Sequence, residues 1–142
     1  MSAPGDLYDW VVEALGTLDD LALAEQLFDA RAIPSTHVDR RYCLDIQSKN
    51  TLQDRDRNRY RASHALEVRL LFRVNPSAQS ATYREALEVE QRVVEALART
   101  SRLPGATLWY QSTSRVLTLA REYLYVSIAY TVGQDVDLAN LP

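Results

Sequence analysis

The chain has 142 residues, 46% of them hydrophobic and 25% charged, with a formal net charge of −3. That length suits one domain able to bury about 70% of the surface an unfolded chain exposes, and the composition is that of an ordinary soluble globular protein. No apolar run approaches the roughly 20 residues needed to cross a bilayer, the opening MSAPGDLYDW lacks the basic start and apolar centre of a secretory signal, and a lone cysteine, Cys43, excludes an internal disulfide and suits a reducing compartment.

The net charge conceals a segregation. Residues 1–30 hold seven acids and no Lys or Arg, residues 31–73 hold ten basic residues against five acids, and residues 74–142 hold six against seven. Such asymmetry suits nucleic acid, or one end of a subunit attracting the other end of its neighbour.

In chain order, Asp6 is placed to cap a first helix. Leu7, Trp10, Val11, Ala14, Leu15 and Leu18 follow at spacings of three and four. Gly16 interrupts, and Thr17 to Asp20 has the form of a capping box, which predicts a second helical piece to about Ala30. From Val38 to Gln47 the pattern turns to alternation, with Tyr42, Leu44 and Ile46 on one face. Residues 48–61 have no apolar period and read as a long charged loop, a feature that is often functional.

Residues 62–74 form the clearest strand, with Leu66, Val68, Leu70, Phe72 and Val74 at a period of two. Residues 79–100 form the clearest helix, with a stripe of Tyr83, Ala86, Leu87, Glu90, Val93, Val94 and Leu97. Glu88–Arg92 and Glu95–Arg99 are acid-first pairs at helical spacing. Two strands follow, 106–116 and 119–132, joined by a connection without Gly or Pro, and residues 133–142 read as a C-terminal tail. The order α(α)ββαββ predicts a single α+β domain, an antiparallel four-stranded sheet with helices on one face.

No phosphate-binding glycine loop, HExxH, CxxC or GxSxG is present. His64 and Glu67, three apart in a strand, fall on opposite faces, so a strand-end or surface His is the simpler reading than a metal ligand. Cys43 in an apolar strand reads as inert filler. The chain is expected to be neither an enzyme nor a cofactor or metal binder.

The features left are those of an interface. Arg55, Arg57, Arg59 and Arg61 recur at every second position, with Tyr60 among them. Arginine forks pair with phosphate or carboxylate, and tyrosine stacks on bases or on arginine. The interleaved Asp54 and Asp56, and an overall pI of about 5.4, point to a partner protein rather than a duplex. Tyr123 and Tyr125, on the outward face of the last strand, are of the type that concentrates at interfaces, or else they sit in the core under a helix. Asp6, Asp9 and Glu13 supply the acidic counterpart.

The N-terminal helix, the proline-led IPSTHVDRRYCLDIQ (33–47), the long loop, HALEVRLLFRV (64–74), YREALEVEQRVVEALART (83–100) and the closing ATLWYQSTSRVLTLAREYLYVSIAYTV (106–132) form an order that resembles the tail terminator, or tail completion, proteins of long-tailed bacteriophages and phage-like particles. The resemblance rests on order and length over most of the chain. It implies a structural protein of the virion neck, assembled in the host cytoplasm. Copies would form a ring, commonly of six, that caps the tail tube, stops its growth and offers a docking surface to the head connector. Expected partners are therefore other copies of this chain, the tail tube protein and a connector protein, with DNA only as passing cargo and no membrane. Another neck or connector component, and a small nucleic-acid-binding module, are the alternative expectations.

Overall fold

The computed structural model describes residues 3–29, 39–54, 59–99, 106–118 and 122–137. Their elements are α1 (Ala3–Leu15), β1 (Ala22–Leu23), β2 (Arg41–Asp54), β3 (Arg59–Arg73), α2 (Gln79–Arg99), β4 (Ala106–Leu117) and β5 (Tyr123–Asp137). The strands form one five-stranded mixed sheet in the order β1-β2-β3-β5-β4. The α+β class agrees with the sequence; the count and pairing differ. Four long strands are antiparallel as expected, and a two-residue strand, β1, adds in parallel along the start of β2.

That fifth strand occupies the place of the predicted second helix. The capping box does not act as one, because the Thr17 hydroxyl donates back to the Ala14 carbonyl at 2.9 Å instead of forward to a new turn. Gly16 donates to Val12 O at 2.9 Å and closes α1; a Cβ there would meet that same oxygen at 3.3 Å. The backbone of this segment pairs with β2 instead of with itself: Ala22 N–H donates to the Arg40 carbonyl at 3.2 Å and Ala24 N–H to the Tyr42 carbonyl at 2.8 Å. Asp6 lies inside the first turn of α1 rather than at its cap, and still complements the helix dipole there.

One face of the sheet carries both helices. Tyr42, Leu44, Leu66, Val68, Leu70, Phe72, Leu124, Val126, Ile128, Tyr130 and Val132 line it, and they meet Leu7, Trp10, Val11, Ala14 and Leu15 of α1 and Ala86, Val89, Val93 and Leu97 of α2. Helix α1 lies over β2, and α2 over β3 and β5. The buried stripe of α2 is rotated from the predicted one: Val89 enters the core, whereas Tyr83 and Leu87 remain 46% and 37% exposed on the flank towards β4. The predicted Glu88–Arg92 pair does not form, since Arg92 is taken by Asp20 and Glu88 faces Arg84 at 3.8 Å.

The predicted loop 48–61 is largely strand. Strand β2 runs on to Asp54 and β3 starts at Arg59, with a register shift between Lys49 and Gln53. Charged and polar residues fill both alternating sets there, so the sequence carries no apolar period to mark the strands. Likewise β5 continues past Gly133 to Asp137, so the first half of the predicted tail is paired with β3, and residues 138–142 lie outside the described residues. In β4 a bulge between Tyr110 and Ser112 breaks the period. Leu108 and Tyr110 before it, and Thr113, Arg115 and Leu117 after it, pair with core-facing residues of β5.

The reverse face has a smaller core of Phe28, Cys43, Leu71 and Tyr125. After β1 the chain crosses onto this face and drops Phe28 edge-on against Tyr125, with ring centroids 6.4 Å apart at 81°. Phe28→Ala is expected to cost about 3 kcal/mol and to raise protection loss by hydrogen exchange in residues 21–29 before the rest of the sheet opens; urea unfolding with exchange measurements checks both.

Candidate interaction surface

The reverse face gathers a polar network beside its small core. Arg69, on β3, donates from Nε to Glu67 Oε1 at 2.9 Å, from Nη2 to Asp45 Oδ2 at 2.8 Å and from Nη1 to the Phe28 carbonyl at 3.2 Å. Tyr125 donates its hydroxyl to the same Glu67 oxygen at 3.1 Å. These positions share a face because β2, β3 and β5 are in register there: Asp45 stands opposite Glu67, and Arg69 opposite Ser127. Burial alone would push the Glu67 carboxyl upward, but hydrogen bonds from Ser127, Arg69 and Tyr125 outweigh it and hold the group below its usual range. Burial and the Glu67 charge push the Tyr125 phenol up to about 12. A neutral tyrosine, a fixed carboxylate and a thrice-bonded guanidinium form a closed structural cluster with no group poised to exchange a proton near neutrality.

Tyr125 is therefore a core residue at 6% exposure, and Tyr123 packs half-buried against the same cluster. The outward-facing tyrosine pair expected from the sequence is, for Tyr125, a side chain covered by Phe28. Cys43 is buried with Sγ 3.4 Å from the Phe28 carbonyl, and burial pushes its thiol up. His64 is not a surface residue: it is 2% exposed on the helix face, with Nδ1 3.1 Å from Ser48 Oγ. Glu67 is on the opposite face, as the spacing required. Among the described residues no group of three or more His, Cys, Asp or Glu is arranged to hold a metal ion, and no helix is long and apolar enough to cross a membrane.

Of the arginine run, Arg55 and Arg57 lie outside the described residues. Arg59, Tyr60 and Arg61 belong to β3, and the backbone register sets Arg59 opposite Asp137 and Arg61 opposite Asp135, with Tyr60 opposite Asp54 on the other side. A strand with arginine at every second position is thus matched by a strand with aspartate at every second position. Asp135 and Asp137 were assigned to a tail by sequence reasoning; their spacing of two was the signal that identifies them as strand. The acids of α1 are elsewhere. Asp9 and Glu13 are exposed and Asp6 half-buried, on the helix flank away from Tyr8 and Val12, which pack against the core. The described residues bring no contact between these acids and the arginines.

The surface that sequence reasoning missed is β4. It is an outer strand of 12 residues, with Trp109 46%, Tyr110 50%, Val116 47% and Leu117 47% exposed. Beside it an open groove of about 570 Å³ is lined by Val74, Gln79, Ser80, Tyr83, Arg115, Leu117 and Leu124. Arg115 reaches from β4 to α2 and forks onto Glu90, with Nε 2.9 Å from Oε2 and Nη2 2.7 Å from Oε1, which accounts for a carboxylate buried to 9% exposure on α2.

No family model matches the chain, and a comparison with curated proteins finds no match.

Two measurements check the reverse-face network. The Cys43 thiol is expected to resist aromatic disulfide reagents at pH 8 until the protein is unfolded. Glu67→Gln is expected to destabilise the fold at pH 7 and progressively less on acidification: a carboxyl held low in the folded state contributes stability that is fully present above its unfolded value of about 4.3 and is lost as pH falls through the folded value. Melting temperatures of the two proteins should therefore converge on acidification.

Proposed function

We propose that this chain is a ring-forming structural protein of a phage-like particle, a tail terminator that caps the tail tube, halts its growth and offers the capped end to a head connector. The observation that carries this reading is the length of the β3–β5 ladder and the charge pattern at its end. Beyond the buried pair His64–Val132 five further rungs follow, Ser63–Gly133 to Arg59–Asp137. At about 3.4 Å each they carry the paired strands some 17 Å further. Strand β2 accompanies them to Asp54.

The residues of these rungs, Arg59 to Ser63 and Gly133 to Asp137, are mostly charged, polar or small in the sequence, with Tyr60 and Val136 as the exceptions, and a ribbon of that composition is costly to order unless something packs on it. Its alternating Arg and Asp positions give a partner a fixed pattern of charge, which sets orientation and rejects mismatched surfaces more than it adds affinity. The reverse face suits scaffolding: its polar groups are tied to one another, and its aromatic residues Phe28 and Tyr125 are buried. The same pattern weighs against nucleic acid as the partner, because each arginine position described on the ribbon stands in register with an acid, whereas phosphate binding draws on uncompensated positive charge.

The test uses cognate tail tubes assembled from purified tube protein. Wild-type protein is expected to arrest tube elongation and to appear as a ring at one tube end by electron microscopy, and Arg57→Glu with Arg59→Glu to lose capping by roughly tenfold or more in required concentration, equivalent to about 1.4 kcal/mol. Tubes that lengthen unchanged in the wild-type protein's presence would sink the terminator reading. Binding to a portal or head adaptor instead of the tube would move the protein to another part of the neck.

A further inference from the structure

The large apolar side chains left exposed are not scattered. Among the described residues Tyr83, Leu87, Trp109, Tyr110, Val116 and Leu117 lie on β4 or on the flank of α2 beside it, and Leu23 and Leu27 lie in and after β1. These are the two outer edges of one sheet. Soluble proteins blunt such edges with charge, proline or brevity. Residues 106–117 of β4 contain no Pro, no Lys, no acid and a single Arg, and that Arg is turned onto Glu90.

The edges also match in direction. Strands β2, β3, β5 and β4 alternate, and β1 runs with β2, so β1 and β4 point in opposite senses. A second copy set beside the first with its helices on the same side would therefore bring its β1 antiparallel to β4. The faces agree too. Leu23 pairs with Tyr42 and so belongs to the helix side, where the groove beside β4 is lined by Tyr83 and Leu117. Leu27, 75% exposed, precedes Phe28 on the reverse side, where Val116, in register with Tyr125, and Trp109 are exposed. No like charge opposes the approach: residues 1–30 carry seven acids and no base, β4 carries no acid, and its one Arg is neutralised by Glu90.

We propose that copies of this chain associate head to tail through the edges of the sheet, β1 of one copy adding antiparallel to β4 of the next, with Leu23 entering the Tyr83–Leu117 groove and the segment after it, through Leu27, running back along the reverse side of β4 past Thr113. The contact is heterologous, since two different patches meet, and it works as strand addition: main-chain hydrogen bonds join the strands and side-chain pockets fix the register. It rests on the ring reading in giving that ring its subunit contact, but it concerns the chain alone and needs no tail.

The experiment is light scattering of the full chain over a wide concentration range, with Leu27→Asp and Leu117→Asp, each changing an exposed residue, and circular dichroism melts to establish folding. Thr113→Pro is the second β4 variant. The Thr118 N–H donates inward to the Tyr123 carbonyl, so by strand alternation that of Thr113 points outward, and its loss spares the internal ladder.

The wild-type chain should assemble, and each variant should weaken assembly by about tenfold or more, the scale of a lost interface anchor. The two aspartate variants mixed together should form a one-to-one dimer and nothing larger, because one intact contact remains between them. Three results would overturn the proposal: a wild-type chain that stays monomeric throughout, assembly by Leu27→Asp with none by Leu117→Asp, which marks a symmetric β4–β4 contact, or rings that persist in both variants. In the last case the ring reading stands and only its interface is reassigned; in the first, the tube-capping assay still decides the terminator reading separately.

Discussion

Strand β3 has to satisfy two unlike environments at once, and the remainder of the molecule is arranged around that requirement. Leu66, Val68, Leu70 and Phe72 project beneath the helices and are all but inaccessible to solvent, while Glu67, Arg69 and Leu71 face the other way into a network and a small core. A slip of one residue against β2 or β5 would put the Arg69 guanidinium under α1 and α2 without a partner, and expose the leucines. The register with β5, continuous from Arg59–Asp137 to Arg73–Tyr123, is thus held by burial on one side and ion pairing on the other.

Arg69 extends that constraint to the edge of the sheet. Its third hydrogen bond, to the Phe28 carbonyl, pins the segment that follows β1, and the Cys43 thiol bonds the same oxygen. Backbone bonds from Ala22 to the Arg40 carbonyl and from Ala24 to the Tyr42 carbonyl hold the strand itself. Arg40 enters β2 through a left-handed backbone at φ 54°, a conformation with a real cost outside glycine, and its side chain is secured by Glu85 at 2.6 Å. A segment of helix-forming residues, Leu21 to Leu27, is held out of a helix in this way by groups from three other elements, and Leu23 and Leu27 are presented at a defined edge as a result.

The opposite edge is defined by a shortage of cover. Two helices suffice for β2, β3 and β5, and β4 lies beyond them, joined to α2 through Arg115 and Glu90 and to β5 by its ladder. A bidentate pair bridging strand and helix fixes the width of the step between them, which is why a groove persists there. A long apolar edge, β4, and a short edge of opposite direction, β1, are the kind of unlike patches that head-to-tail association brings together.

Much of the fold was legible in the amino-acid sequence because burial imposes a period. Strand β3, helix α2 and the helix face of β5 show clean repeats of 2 or 3.6, since each buries one complete side. Where charged and polar residues take both alternating sets the period disappears, so the charged extension of β2 and β3 reads as a loop and that of β5 as a tail. Where the residues are few the local signal misleads: Thr17 to Asp20 has the form of a helix start, but its hydroxyl is satisfied by the helix already finished. The candidate surface divides in the same way. The sequence by itself determined the α+β class, the composition of the main core, the segregation of charge and the alternating arginines, all of them properties of neighbours along the chain. Only the tertiary structure decided that Tyr125 is sealed by Phe28, that Arg59 and Arg61 stand in register with Asp137 and Asp135, and that β1 and β4 form two opposed edges, because each depends on residues brought together across more than 60 positions of sequence.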